Sequence, residues 1–196
     1  MENFDFTLPK KIDEALVREL ASCRFTDRGE NVIFLGPPGV GKTHLACALG
    51  RKAIDNGKKV KTYKLVQLIE EIKKNETNEV EKQRRFLMSL VNLEVLILDD
   101  VEYYNLTPAV NDFLYRLFQG RYEKKVPTIF TANESFTEWE KLFGTQVRAA
   151  KIIDRVLERC HEVVILGDSQ RIKDKLNPQK STKPKSNGNG LAAGLY

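Results

Sequence analysis

The feature that most restricts the fold of this chain is a glycine-rich loop between an apolar segment and a helical one. The apolar residues Asn31–Leu35 (NVIFL) lead into residues 36–43 (GPPGVGKT), and helix-forming residues follow as far as Asp55. A strand, the spacing G-x-x-x-x-G-K-[ST] and a helix in this order are typical of a phosphate-binding P-loop. The segment therefore predicts an α/β fold built around a nucleotide site.

Each part of this loop has a chemical role toward a nucleoside triphosphate. Backbone N–H groups and the positive helix N-terminus hold phosphate oxygens, Lys42 reaches the β- and γ-phosphates, and the Thr43 hydroxyl ligates Mg²⁺. His44 either lies near the nucleotide or packs within the domain. The alternative, a glycine-rich turn without a ligand, would not require the strand and helix on either side. The residues predicted to bind ATP are Gly36, Pro37, Pro38, Gly39, Val40, Gly41, Lys42, Thr43 and His44.

Strand-like and helix-like segments alternate along most of the chain. The further predicted strands are residues 59–63, 95–98, 127–131 and 162–166, and the predicted helices are residues 12–23, 42–55, 65–73, 79–91, 107–120, 135–143 and 147–159. Such alternation predicts a parallel sheet with helices on both faces. We expect a three-layer αβα sandwich with a five-stranded parallel sheet.

The net charge of +5 is a property of the C-terminal tail. Residues 171–196 contain six basic residues and one acidic residue, whereas residues 1–170 contain 26 of each. Overall charge therefore does not indicate that the folded domain binds nucleic acid. Residues 177–196 are too polar to build a core, which predicts a disordered basic tail. We expect one domain over residues 1–176, with residues 1–27 as an N-terminal linker and helix.

The cysteines and the hydropathy pattern indicate a cellular compartment. Cys23, Cys47 and Cys160 are odd in number and lack metal-ligand spacing, which is typical of free thiols in a reducing environment. No apolar run approaches the roughly 18–20 residues of a membrane span. The N-terminal residues also lack the pattern of a signal peptide. We expect a cytoplasmic protein without a membrane partner.

Two adjacent acids follow the apolar segment VLIL. Because ligands of parallel sheets bind at the carboxyl ends of the strands, Asp99 is predicted to lie beside the bound Mg²⁺. Asp100 is the candidate to polarise the attacking water. Without a P-loop upstream, the same two acids would be read equally well as solvated residues that close a core strand.

The chain resembles the IstB and DnaC branch of the AAA+ ATPases, and most of all the IstB helper ATPases of insertion sequences. The resemblance covers nearly all of residues 2–176. It is carried by residues 2–6 (ENFDF), 28–50 (RGENVIFLGPPGVGKTHLACALG), 96–100 (LILDD), 120–125 (GRYEKK), 128–139 (TIFTANESFTEW), 149–159 (AAKIIDRVLER) and 167–173 (GDSQRIK). The P-loop alone indicates only an NTPase, and the later segments are far more specific. The resemblance implies the AAA+ strand order 5-1-4-3-2.

The resemblance also implies roles for residues outside the P-loop. Asn133 matches the sensor-1 position, Arg155 matches the arginine finger that enters a neighbouring subunit, and Arg171 matches sensor 2. A guanidinium suits phosphate contacts because it stays charged and presents a fork of donors. The alternatives are a turn-forming Asn133, an intrachain pair of Arg155 with a nearby acid, and an Arg171 that merely begins the basic tail.

Two departures from the family pattern affect what the resemblance implies. IstB proteins usually carry Asp-Glu after the third strand, whereas this chain has Asp99-Asp100, whose second carboxylate is one methylene shorter. We therefore expect ATPase activity with slower hydrolysis. The ENFDF segment follows Met1 directly, where relatives have a small helical domain that engages the transposase or helicase. We expect the contact with a transposase to need more than this chain.

Similar proteins assemble around DNA as ATP-dependent oligomers, which implies self-association and non-specific binding of double-stranded DNA. The residues that could contact DNA phosphates are Lys59, Lys61, Lys64, Lys73, Lys74, Lys82, Arg84 and Arg85. They could equally form solvated helix faces paired with neighbouring glutamates. The function classes left open are a transposition helper ATPase, a helicase loader of the DnaC or DnaI type, a P-loop small-molecule kinase, and a nucleotide-bound scaffold without hydrolysis.

Overall fold

A five-stranded parallel sheet forms the middle layer of the structure, a computed structural model that describes residues 4–7, 9–76, 80–102, 106–133, 139, 142–143 and 145–169. Its strands are β1 Asn31–Leu35, β2 Val60–Lys64, β3 Val95–Asp99, β4 Thr128–Ala132 and β5 Cys160–Val164. They pair in the order β2-β3-β4-β1-β5, which is 5-1-4-3-2 from the other edge. The predicted fold class and strand order are confirmed.

Helices cover both faces of this sheet. They are α1 Glu14–Leu20, α2 Arg24–Arg28, α3 Lys42–Asp55, α4 Leu65–Glu76, α5 Val80–Val91, α6 Pro108–Lys124 and α7 Gln146–Glu158. In β3, Leu96 and Leu98 join the apolar core formed with α4–α7, whereas Val95 and Ile97 join the core formed with α1–α3. Alternate side chains of a strand point to opposite faces, so an all-apolar strand fits this central position.

The ends of several elements differ from the predicted ones. Gly120 does not end α6, because it lies against α5, where an added Cβ would be 3.1 Å from both Val91 methyl groups. The helix ends at Lys124, and its C-cap residue Lys125 has a φ of +52°. The helix predicted at residues 12–23 is shorter, since α1 ends at Leu20, and Cys23, with a φ of +60°, precedes the short helix α2, which was not predicted. Helix α4 continues beyond the predicted residues 65–73 and ends at Glu76.

Two sequence predictions fall largely outside the described residues. Of the predicted helix at residues 135–143, the structure describes only Trp139, Leu142 and Phe143, all of which are buried. The predicted tail at residues 177–196 is not among the described residues. Within the described part, no helix combines the length and apolar character needed to cross a membrane.

Candidate nucleotide-binding site

The P-loop connects β1 to α3 at the carboxyl ends of the strands. Gly39 and Gly41 have φ values of +82° and +102°, which side chains other than glycine rarely adopt. Space is also limiting, because a Cβ on Gly41 would lie 2.7 Å from Cε2 of Phe4. Helix α3 begins immediately after the loop, at Lys42. Its N-terminus, with the partial positive charge of the helix dipole, therefore lies at the carboxyl ends of the strands.

Lys42 crosses the loop to reach the end of β4. Its ammonium group is buried and donates hydrogen bonds to the carbonyl oxygens of Gly36 at 2.6 Å and Pro37 at 2.9 Å. It also donates to Oδ1 of Asn133 at 2.7 Å. The structure thus brings Lys42 and Asn133 together, although they are far apart in the sequence.

Asp99 connects the P-loop helix with two strands. Its Oδ1 accepts hydrogen bonds from Oγ1 of Thr43 and from Oγ1 of Thr131, both at 2.7 Å. Asp99 is 4% exposed, so these hydroxyls fix a largely buried carboxylate. A hydroxyl and a carboxylate are hard oxygen donors, which Mg²⁺ prefers. Thr43 and Asp99 therefore fit the metal that the sequence predicts.

A cavity of about 580 Å³ opens above these residues. Its size is in the range of small-molecule sites. It is lined by Pro38, Gly39, Gly41, Lys42, Thr43, His44, Lys64, Val66, Asp100, Glu102 and Asn133. Gly36 and Pro37 do not line the cavity, but their carbonyl groups accept hydrogen bonds from Lys42. The side chain of Val40 does not line the cavity, because it is buried in the core formed with α1–α3.

His44 and the N-terminal segment meet beside the P-loop. The ring of Phe4 lies 5.8 Å from the ring of His44, centroid to centroid, and 4.9 Å from the ring of Phe6. His44 lines the cavity and also packs against an aromatic ring. Its position is therefore compatible with both alternatives, a place near the nucleotide and packing within the domain.

Three further residues belong to the site but were not assigned to it from the sequence. Thr131 holds Asp99 and accepts a hydrogen bond from the backbone N–H of Asp100 at 2.9 Å. Glu102 lines the cavity and accepts a hydrogen bond from Nδ2 of Asn133. Lys64, considered above as a DNA contact, pairs with Asp100 at 3.2 Å. The only sequence signal was their position at or just beyond strand ends.

Arg155 lies near the first residues of the strands, at the opposite end of β1 from the P-loop. It lines a small cavity together with Asn31 and Thr128, the first residues of β1 and β4. Its guanidinium carbon is 5.0 Å from the centre of the Tyr122 ring. Glu158, an acid close to Arg155 in the sequence, accepts a hydrogen bond from the Tyr122 hydroxyl at 2.5 Å. Among the described residues, Nη1 of Arg155 is buried without a hydrogen-bond partner.

The remaining predicted site residues differ in whether the structure describes them and in whether they form ion pairs. Arg171 lies outside the described residues. Lys73, Lys74 and Lys82 are exposed at the end of α4 and near the start of α5. Arg84 pairs with Glu81 at 3.2 Å, as expected for a solvated helix face.

Comparisons with known proteins agree with this architecture. The sequence model of the IstB-like ATP-binding protein family matches residues 1–178. An insertion sequence IS21 ATP-binding protein of Pseudomonas aeruginosa is 42% identical over all of this chain and 74% of its own length. The corresponding IS5376 protein of Geobacillus stearothermophilus is 36% identical over 93% of this chain and 72% of its own.

Solved structures, among them that of the DnaC helicase loader, are also similar. DnaC aligns with a TM-score of 0.63 and 25% identity over 77% of this chain and 86% of its own. DnaI aligns with a TM-score of 0.67 and 23% identity over 87% of this chain and 89% of its own, and this likeness shows the fold. From its P-loop, its sheet order and its sequence relatives, the chain belongs to the family of IstB-like ATP-binding proteins.

Proposed function

We propose that this chain hydrolyses ATP with Mg²⁺ and acts on DNA as the helper ATPase of a transposase. The observation that carries the proposal is the 2.7 Å hydrogen bond between Thr43 and Asp99, formed beside the buried Lys42. This arrangement places the phosphate-binding P-loop next to two oxygen ligands suited to Mg²⁺, at the carboxyl ends of the strands. Mg²⁺ held by Thr43 and Asp99 would neutralise charge on the phosphates, and Lys42 would exchange its carbonyl acceptors for phosphate oxygens.

Calorimetry with Mg²⁺ and ATP tests the binding step. Lys42→Ala should weaken ATP binding at least about tenfold, because it removes the cation that faces the phosphates. The matched control is Lys58→Ala, which removes a lysine paired with Asp27 at the surface, and it should bind like the parent chain. Equal affinity of Lys42→Ala and the parent would contradict the proposal.

The position of Arg155 supports its predicted role as an arginine finger in trans. A five-residue strand spans roughly 16 Å, and Arg155 lies at the start of β1 whereas the P-loop follows its end. Its own nucleotide is therefore out of reach, and a neighbouring subunit's nucleotide is the alternative. The same proposal gives Arg171 a γ-phosphate contact within its own subunit.

Mixing two inactive variants tests the composite site. Lys42→Ala subunits keep Arg155 but lack the phosphate lysine, and Arg155→Ala subunits have the reverse defect. If Arg155 acts in trans, the mixture should recover part of the ATPase activity, because some interfaces combine an intact P-loop with an intact finger. No recovery, in a mixture shown by size-exclusion chromatography to form hetero-oligomers, would contradict the role in trans.

Binding to double-stranded DNA is the second part of the proposal. The exposed Lys73 and Lys74 offer cations for phosphate contacts, and such contacts weaken with rising salt. Lys73→Gln/Lys74→Gln should lower duplex affinity and flatten its salt dependence, measured by fluorescence anisotropy with ATP. The matched control is Lys10→Gln/Lys11→Gln, a pair of exposed lysines near the N-terminus. Equal losses in both double variants would contradict a localised DNA site.

A helicase loader is the second candidate, because the DnaC helicase loader shares this fold at 25% identity. The sequence relatives come instead from insertion sequences, which favours the transposition helper. Genetic neighbourhood separates the two, since a transposase gene directly upstream supports the helper and replication genes support the loader. Release of phosphate without a phosphorylated small product would exclude a P-loop small-molecule kinase.

A further inference from the structure

Two stacks of an arginine on a tyrosine join α6 to α7. The guanidinium carbon of Arg148 lies 4.9 Å from the centre of the Tyr115 ring, and that of Arg155 lies 5.0 Å from the centre of the Tyr122 ring. The tyrosines are on α6 and the arginines on α7, with the same spacing of about two helical turns on each helix. The second stack therefore repeats the first one farther along the contact between the two helices.

The arginines of the two stacks differ in their other partners. Nη1 of Arg148 donates a hydrogen bond to Oδ1 of Asp112 at 3.4 Å, so a carboxylate of the same chain already pairs with this guanidinium. Among the described residues, Nη1 of Arg155 is buried without a hydrogen-bond partner. Arg155 is thus held by the face of an aromatic ring, while at least one of its donors has no acceptor.

Tyr122 also contacts the acid that could neutralise Arg155. Glu158 is three residues beyond Arg155 on the same helix, a spacing at which ion pairs form. Its Oε2 accepts a hydrogen bond from the Tyr122 hydroxyl at 2.5 Å, and its Oε1 lies 3.7 Å from Nε of Arg159. Both carboxylate oxygens therefore have partners other than Arg155.

A stack of this kind suits a guanidinium that must bind phosphate elsewhere. The ring of Tyr122 attracts the flat face of the guanidinium, whereas the N–H donors lie in its plane and are not used by the stack. A buried donor without an acceptor also destabilises the folded state. A phosphate oxygen of a neighbouring subunit would supply the acceptor that Nη1 of Arg155 lacks.

We propose that Tyr122 is the positioning residue of the arginine finger, because its ring supports the Arg155 guanidinium and its hydroxyl keeps Glu158 from pairing with it. This inference rests on the proposed role of Arg155 in trans and adds the residue that prepares it. Tyr122 lines the same small cavity as Asn31, the first residue of β1, so it lies far from the P-loop of its own subunit. It acts only through Arg155.

A mixture of two inactive variants shows through which subunit Tyr122 acts. Lys42→Ala subunits supply the finger, and Arg155→Ala subunits supply the P-loop. Adding Tyr122→Leu to the Lys42→Ala subunit should lower the recovered ATPase activity by about 5–30-fold, since the stack that holds the finger is lost. Adding Tyr122→Leu to the Arg155→Ala subunit should cause no further loss, because that subunit has no finger to position.

Two further substitutions in the Lys42→Ala subunit separate the ring from general packing. Tyr122→Phe keeps the ring and should lower the recovered activity by no more than about threefold, because a released Glu158 forms only a weak pair with Arg155 on a helix surface. Tyr115→Leu is the matched control, since it removes the equivalent stack on Arg148. It should leave the recovered activity unchanged.

Phosphate release is measured for every mixture after size-exclusion chromatography has shown that hetero-oligomers form. Equal losses in the two placements of Tyr122→Leu would show a structural role and overturn the inference. It is also overturned if Tyr122→Leu in the finger-supplying subunit has no effect, if Tyr122→Phe loses as much as Tyr122→Leu, or if Tyr115→Leu does. If the mixture with an intact Tyr122 recovers no activity, the role of Arg155 in trans fails first, and this result is distinguishable because it precedes any change at Tyr122.

Discussion

The hydroxyl of Thr131 donates a hydrogen bond to the Asp99 carboxylate at 2.7 Å, and both residues are almost completely buried. Because Thr43 donates to the same oxygen, the carboxylate predicted to hold Mg²⁺ is fixed from the P-loop helix and from β4. A metal-binding carboxylate of this kind depends on its hydrogen-bond partners for its orientation.

Thr131→Val should weaken Mg²⁺-dependent ATP binding by about 10- to 100-fold, the usual effect of losing a partner of a metal ligand. Titration of Mg²⁺ into the ATP-bound protein measures the change. The matched control is Thr128→Val at the other end of β4, where the hydroxyl accepts from Arg121 Nε at 2.9 Å. That variant should lose stability but keep its Mg²⁺ affinity. Unchanged Mg²⁺ affinity in Thr131→Val would contradict the role of Thr131 in positioning Asp99.

Asn133→Asp should keep an acceptor for Lys42 but lose the donor that reaches Glu102. We expect the turnover rate to fall by about 10²–10³-fold with a much smaller change in ATP affinity, since a positioned polar group near the developing charge is lost. Steady-state kinetics and calorimetry measure the two effects. A parallel loss of rate and affinity would indicate that Asn133 acts mainly through the position of Lys42.

Arg121→Met should lower the free energy of unfolding by about 1–3 kcal/mol for each buried acceptor that loses its donor. The guanidinium donates to Thr128 Oγ1 and to the carbonyl groups of Leu90, Leu93 and Pro127. Burial lowers the pKa of Arg121 to about 9, so the group remains charged at neutral pH.

Urea denaturation measures the stability of Arg121→Met, with Arg116→Met as the matched control on the same helix. Arg116 is half-exposed and pairs with Asp112 at 2.9 Å, a surface pair worth at most about 1 kcal/mol. Similar losses in the two variants would show that the buried hydrogen bonds of Arg121 contribute little to folding.

The three thiols should react with iodoacetamide at different rates in the folded protein. Cys47 is exposed, Cys23 is buried, and burial together with Glu162 raises the pKa of Cys160 to about 12. Because the thiolate is the reactive form, a raised pKa leaves little of it at pH 8. Peptide mass spectrometry should therefore find Cys47 alkylated first. Faster alkylation of Cys160 than of Cys47 would contradict the burial that raises the pKa of Cys160.

The P-loop and the sheet were predictable because their signals are local. A strand, the glycine spacing and a helix fix residues 31–55 whatever the rest of the chain does, and the observed α3 has the predicted bounds. Apolar β-branched segments likewise indicate strands, although the observed β5 begins two residues before the predicted one. Element ends depend on tertiary contacts, as the close approach of Gly120 to Val91 illustrates.

The sequence alone determined that this chain binds a triphosphate at the end of a parallel strand, because that chemistry needs a fixed order of adjacent residues. The tertiary structure decided which distant side chains complete the site. The hydrogen bonds that Lys42 and Glu102 make with Asn133, and the ion pair of Asp100 with Lys64, all depend on the order of β2, β3, β4 and β1. Strand order is set by packing over long sequence separations, so no local pattern could show which distant side chain contacts Lys42.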